Sequence, residues 1–238
     1  MMSLRARLHP ALWLWFPPLL AAVVLGVKYF APSLYDSVIE GELGLTELAT
    51  PVVALLGVWF GVQTVLASRG RVPPLYTLWL IGTTLGCFYF AGEELSWGQQ
   101  LFKWDTPAEI AALNDQQETN LHNMSSWFDQ KPRLLLELWV LFGGIVVPLR
   151  RLMGKPSPYA QGSFFDWFWP GLDCLPTALL AIAIKLPERY KKIMGIESLP
   201  FEIRWSEPQE YYFALFLLIY LLAARARLRQ LPQPPNNR

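Results

Sequence analysis

Charge is scarce in this sequence, and neither sign is in surplus. Only 16% of the 238 residues are Asp, Glu, Lys or Arg, and 20 Lys+Arg face 19 Asp+Glu. A chain so nearly neutral has no basic surface with which to hold a phosphate backbone, which excludes nucleic acid as a partner. Histidine is almost absent: His9 and His122 are the two in the chain. That excludes a three-His zinc hydrolase built within one chain. Two cysteines, Cys87 and Cys174, are too few for a disulfide framework, and both fall inside apolar runs where a thiol serves as a small packing residue. The sequence contains no C-x-x-C, Gly-rich phosphate loop, G-x-S-x-G elbow, H-E-x-x-H pair or internal repeat.

Apolar sequence is what abounds. Hydrophobic residues make up 53% of the chain and aromatic ones 14%, and the mean hydropathy is +0.26. They are clumped into stretches of about 20, the length that crosses a bilayer, instead of being spread at periods of 2 or 3.6. Six segments qualify: 11–31, 44–67, 75–92, 134–149, 164–186 and 211–224. The expected fold is therefore an all-α, polytopic membrane helix bundle forming a single integral membrane domain over 1–230. The proline-rich tail 231–238 is expected to be disordered. Pro170, Gly171 and Pro176 interrupt the fifth segment, and Asp173 lies inside it. The first segment is too long for a signal peptide, carries Trp13, Trp15, Pro17 and Pro18, and lacks an A-x-A cleavage site, so it reads as a retained anchor.

Orientation follows from Lys and Arg. With both termini cytoplasmic, 11 basic residues fall on the inner side and 9 on the outer. The acids sort more cleanly. None occurs in the N-terminal tail, in 68–74, in 150–163 or after Glu210, so the loops alternate between an acid-free and an acid-bearing side. That alternation supports an even number of spans, with both termini in the cytoplasm of a bacterial cell.

Polar chemistry concentrates in the long outer loop 93–131. Thr106-Pro107-Ala108-Glu109 reads as a capping box opening a short helix, and Leu121, Met124 and Phe128 recur at helical spacing in a second one. A further amphipathic piece is expected around 187–193. At the exit of the third segment, Glu93, Ser96 and Gln100 would share one face if the helix continued, with Glu94 turned about 100° away. Glu118 and His122, four apart, can meet on one helical face, either as a surface pair or as a carboxylate–imidazole pair or shared metal site. Three more acids lie within apolar segments: Glu47, Glu137 and Asp173. Glu137 can pair with Arg133 four residues before it. Asp173 lies towards the inner half, where helix packing or a proton path would use it. Glu47, Glu93, Glu94 and Glu137 all fall near the outer interface, and acids at that depth require partners or a wet cavity. With one usable His among carboxylates, the expected ion is Mg, Mn, Ca or Fe in preference to Zn.

The segments AGEELSWGQ (Ala91 to Gln99) and ETNLHN (Glu118 to Asn123) resemble those of an uncharacterised bacterial polytopic membrane-protein family. The resemblance covers about 40 residues firmly; it implies an inner-membrane protein and carries over no catalytic assignment. At the same residues the chain is similar, more faintly, to ceramidase-like integral membrane hydrolases, which place acids, Ser and His at helix ends around a metal.

The functional expectation is an outward-facing site of Glu93, Glu94, Glu118 and His122. Glu47, Glu137, Gln100 and Asp173 are additional candidates. If it is an enzyme, it performs metal-assisted hydrolysis or transfer on a membrane lipid or lipid-linked group, with His122 or a carboxylate as base. Trp97, Trp104 and Trp127 would line the amphiphile's path. The alternative is a transporter or an assembly factor binding a periplasmic or membrane protein.

Overall fold

A computed structural model describes residues 7–39, 44–111, 119–120, 126–155, 157–197 and 206–232. Among them regular structure is helical throughout, and six helices are long and apolar enough to cross a membrane. They are α1 (Ala11–Phe30), α2 (Leu45–Ser68), α3 (Pro74–Glu94), α4 (Gln130–Leu152), α5 (Phe164–Met194) and α6 (Ser206–Arg229). The all-α bundle expected from the apolar runs is thus the fold. The first three spans lie within a few residues of their expected bounds. The fourth and sixth are longer than expected, because charged residues at their ends (Arg133 and Arg150 in α4, Glu207 and Arg229 in α6) still continue the helix.

α6 is the axis of the bundle. Its residues from Tyr211 to Leu221 are all buried, whereas α1 is largely uncovered by protein. α2 lies along α6, α3 lies along α2, and the piece Leu175–Ala183 of α5 flanks α6 and α4. In hydrocarbon, lipid tails are as apolar as leucine, so close helix approach depends on small residues rather than on water exclusion. Such residues occupy the seams. A Cβ on Gly61 would come within 2.4 Å of the Thr84 hydroxyl, and one on Gly144 within 2.6 Å of Ala178. The hydroxyls of Thr64 and Thr84 donate to the carbonyls four residues back, so neither leaves its hydrogen facing the apolar seam.

Prolines shape the helices as the chemistry requires. Ala11–Trp15 and Val140–Val146 are π-helical, and each widened turn stops just short of a proline (Pro17 and Pro148). A proline has no N–H for the carbonyl four residues before it, and shifting to i→i+5 bonding accommodates the gap. α5 is broken, as its Pro and Gly residues suggested. Phe164–Phe168 ends at an extended Trp169–Gly171, a short turn Leu172–Cys174 follows, and Leu175–Ala183 resumes with Pro176 in its first turn, where no bond is lost. The amphipathic piece expected around 187–193 is the helix Leu186–Met194, closed by Gly195 at φ +64°.

At the end of the bundle that holds Arg7 and Arg227, the buried carboxylates Asp166 and Asp173 each have dedicated donors. Arg227 donates to the Asp166 carboxylate at 2.6 Å and to the Asp166 carbonyl at 2.7 Å, and its guanidinium stacks 3.6 Å from the Trp167 ring centre. Asp173, 1% exposed, accepts from the backbone N–H groups of Arg7 and Leu8, each at 2.8 Å. This carboxylate, one of the candidate site residues, therefore fastens the start of α1 to the break in α5. Of its two expected roles, the bonds it makes are those of packing.

Candidate functional site

α3 ends abruptly at Glu94, and the helix does not run on to Gln100 as the shared-face expectation required. Ser96, Trp97 and Gly98 have φ of +46°, +55° and +99°, and the chain reverses through them. Two non-glycine residues in succession in this region represent stored strain that surrounding contacts must hold. The contacts are present. Trp97 folds back over Gly92, where any Cβ would come within 2.8 Å of the indole, and its Nε1 donates to Glu93 Oε1 at 2.7 Å. Glycine at 92 and tryptophan at 97 thus form one device that orients Glu93, which is 3% exposed.

The second motif locks the reversal from outside. The Asn120 side chain donates to Ser96 Oγ at 3.2 Å, and the Thr119 N–H donates to Gln99 Oε1 at 2.7 Å. The Thr119 hydroxyl lies 2.9 Å from both the Ser96 carbonyl and Gln99 Oε1. Gln99 Nε2 in turn donates to Thr106 Oγ1 at 2.7 Å. Ser96 and Gln99 of the first motif and Thr119 and Asn120 of the second, 20 to 24 residues apart in sequence, therefore interlock. Glu118 and His122 lie outside the described residues, as do the side chains of Gln100 and Trp127. Of the helix predicted after Thr106, the turn Ala108–Ala111 lies within the described residues.

Below the reversal a cavity of about 360 Å³ opens between α3, α4 and α6, within the size range of small-ligand sites. Its shaft is apolar, with Trp79 and Trp139 at one extreme and Leu136, Phe213 and Leu217 along the walls. Its other extreme carries Glu93, Glu94, Arg133 and Glu210. Gly82 and Gly86 of α3 and Leu135 of α4, which is 70% exposed, leave the cleft open sideways, towards where the bilayer would lie. From Trp79 to Glu94 the cleft runs along about 22 Å of helix, at 1.5 Å per residue. That is about three quarters of a 30 Å hydrocarbon core.

The expected convergence of acids is realised in part. Glu94 has Glu210, Arg133, Glu47 and Glu207 as its charged neighbours. Arg133, the cation in this group, is already engaged: it pairs with Glu210 at 2.9 Å and donates to Gln209 Oε1 at 3.0 Å. Gln209 is fixed in turn by donating to the Ala181 carbonyl. Glu94 accepts no hydrogen bond and forms no ion pair among the described residues. Glu137 does not join the cluster. It pairs with Arg189 on the helix Leu186–Met194, not with Arg133 as its spacing suggested, because Arg133 turns to α6. Among the described residues no group of three or more His, Cys, Asp or Glu is arranged to hold a metal.

Sequence reasoning missed Arg133, Gln209 and Glu210 as parts of this site. A signal was available: Glu207 and Glu210 open the last apolar run on the same side as Glu94 closes the third. Trp97 lies at the reversal, where it was expected near the path, and it acts there on Glu93. Trp104 is half exposed beyond it, stacked on Phe102. In comparisons with protein families, curated proteins and solved structures, nothing matches this chain.

Proposed function

We propose that this integral membrane protein admits a lipid or lipid-linked amphiphile sideways from the bilayer and acts on its head group by hydrolysis or transfer. The observation that carries the reading is the cleft itself: an apolar shaft open to the hydrocarbon, ending in Glu93, Glu94, Arg133 and Glu210. A tail would occupy the shaft, and the head would meet the acids at the depth where lipid head groups begin. Glu94, with no partner among the described residues, is the carboxylate positioned to exchange a proton with the substrate, and Glu93 is oriented by Trp97 beside it. His122 is the second candidate base. The described residues alone do not fit a metal; a divalent ion would require Glu118 and His122 as ligands, and no step here depends on it. The bacterial inner membrane, with both termini cytoplasmic and this cluster facing outward, is the matching location.

The transport alternative leaned on Asp173 in the broken span. Its carboxylate is taken up by two backbone amides, which favours the lipid reading. The test is reconstitution into vesicles of bacterial lipid, with lipid composition followed by mass spectrometry over time. Conversion of one lipid class that disappears in Glu94→Gln and falls in His122→Ala is the expected result. Unchanged lipids with the native chain would overturn the enzymatic reading.

A further inference from the structure

At the end of the bundle away from Glu94, three arginines crowd together. Arg7 precedes α1, Arg151 lies at the end of α4 and Arg227 at the end of α6, and each feels the charge of the other two. Two carboxylates stand among them, and both are already bonded. Asp166 accepts from Arg227 and from the Gly162 N–H, and Asp173 accepts from the backbone N–H groups of Arg7 and Leu8. The guanidinium groups of Arg7 and Arg151 make no hydrogen bond or ion pair among the described residues, and Arg151 Nη2 is shut off from solvent with nothing to donate to. Burial, reinforced by the like charges of Arg227 and Arg151 and opposed by Asp173, pushes Arg7 down from the usual guanidinium value. The sequence holds no further acid side chain on this side: the tail before α1, the loops 68–74 and 150–163 and the chain after Glu210 contain no Asp or Glu. The three arginines lie within about a turn of a helix end, where the phosphates of one leaflet begin. Arg7 and Arg151 are part-exposed, so each can turn towards an anion arriving from that layer, and Arg151 would gain the bond it lacks. The arginine fork matches two oxygens of one phosphate, and basic pockets between span ends suit anionic head groups.

We infer that Arg7 and Arg151, beside the Arg227–Asp166 pair, form a binding site for a phosphate-bearing anion, separate from the cleft. The full chain in a non-ionic detergent is titrated with dioctanoyl phosphatidylglycerol, dioctanoylglycerol and inorganic phosphate, with binding read by calorimetry. These ligands present phosphate with tails, tails alone and phosphate alone. Saturable binding of at least one phosphate compound is expected, tighter than that of the neutral diglyceride. Arg151→Gln and Arg7→Gln are each expected to weaken it about tenfold. Arg69→Gln, which removes an exposed cation on the same side, should weaken it by about twofold or less. Gly86→Leu, which narrows the cleft at the other end, should leave it unchanged. Without ligand, the thermal midpoint of Arg151→Gln should hold, because the lost charge has no partner; should it fall, Arg7→Gln, ahead of the first span, carries the comparison. Phosphatidylglycerol binding without inorganic phosphate binding makes the ligand a lipid head group; inorganic phosphate binding at least as tightly makes it a soluble anion. The inference is overturned if neither phosphate compound saturates, if the diglyceride binds as well as phosphatidylglycerol, or if Arg69→Gln weakens binding as much as Arg7→Gln. It is also overturned if Gly86→Leu abolishes binding that Arg7→Gln leaves intact, since the lipid then occupies the cleft.

Discussion

The two ends of this bundle use their charged groups in different ways. At the end holding Arg7, Asp166 faces Arg227 and Asp173 faces two amide N–H groups, so each carboxylate has dedicated donors. At the other end several carboxylates surround Arg133, and Glu94 has no hydrogen bond or ion pair among the described residues. Carboxylates with dedicated donors tie elements together; one such as Glu94 can meet a ligand instead. Burial alone does not separate the two ends, because Glu93, Asp166 and Asp173 are all buried.

The contrast can be broken by substitution, starting where the effect is largest. Asp166→Ala leaves the Arg227 guanidinium buried without its carboxylate. A loss of about 3 kcal/mol or more is expected, read as a fall in the thermal midpoint of the detergent-solubilised protein. Asp173→Ala removes two charge-assisted bonds and should cost about 2–3 kcal/mol. Its sharper signature is local, since release of the start of α1 should speed trypsin cleavage after Arg7. Gly61→Leu drives a side chain into Thr84 across the α2–α3 seam and should cost about 1–3 kcal/mol by overpacking. Trp97→Phe keeps a ring over Gly92 and loses the bond to Glu93, with an expected cost of about 1 kcal/mol. Glu94→Gln sits at the bottom of the series. It relieves repulsion from Glu210, Glu47 and Glu207, so the thermal midpoint should hold or rise slightly while the proposed lipid conversion is lost. A large destabilisation there would erase the distinction between the two ends.

Much of this architecture is legible from residue types. Bilayer-length apolar runs announce the spans, Pro170 and Gly171 announce the break in α5, and the segregation of acids announces two unlike faces. The interlock of the two motifs was not legible in its bonds. Ser96 and Trp97 adopt positive φ against their own preference, held by tertiary contacts that include Gly92, Glu93, Thr119 and Asn120. The partner of Arg133 was misjudged for a related reason. Spacing along one helix offered Glu137, but a neighbouring helix brought Glu210 closer.

The sequence by itself determined that the chain is a set of membrane-crossing helices, since no water in hydrocarbon can satisfy an exposed backbone and runs of this length leave helices as the solution. The tertiary structure alone decided that α6 is the axis, that α3 and α4 stand apart to leave a cleft, and that Asp166 meets Arg227 and Glu210 meets Arg133. Those outcomes depend on distances between helices, which side-chain size and packing set and which spacing along the chain does not encode.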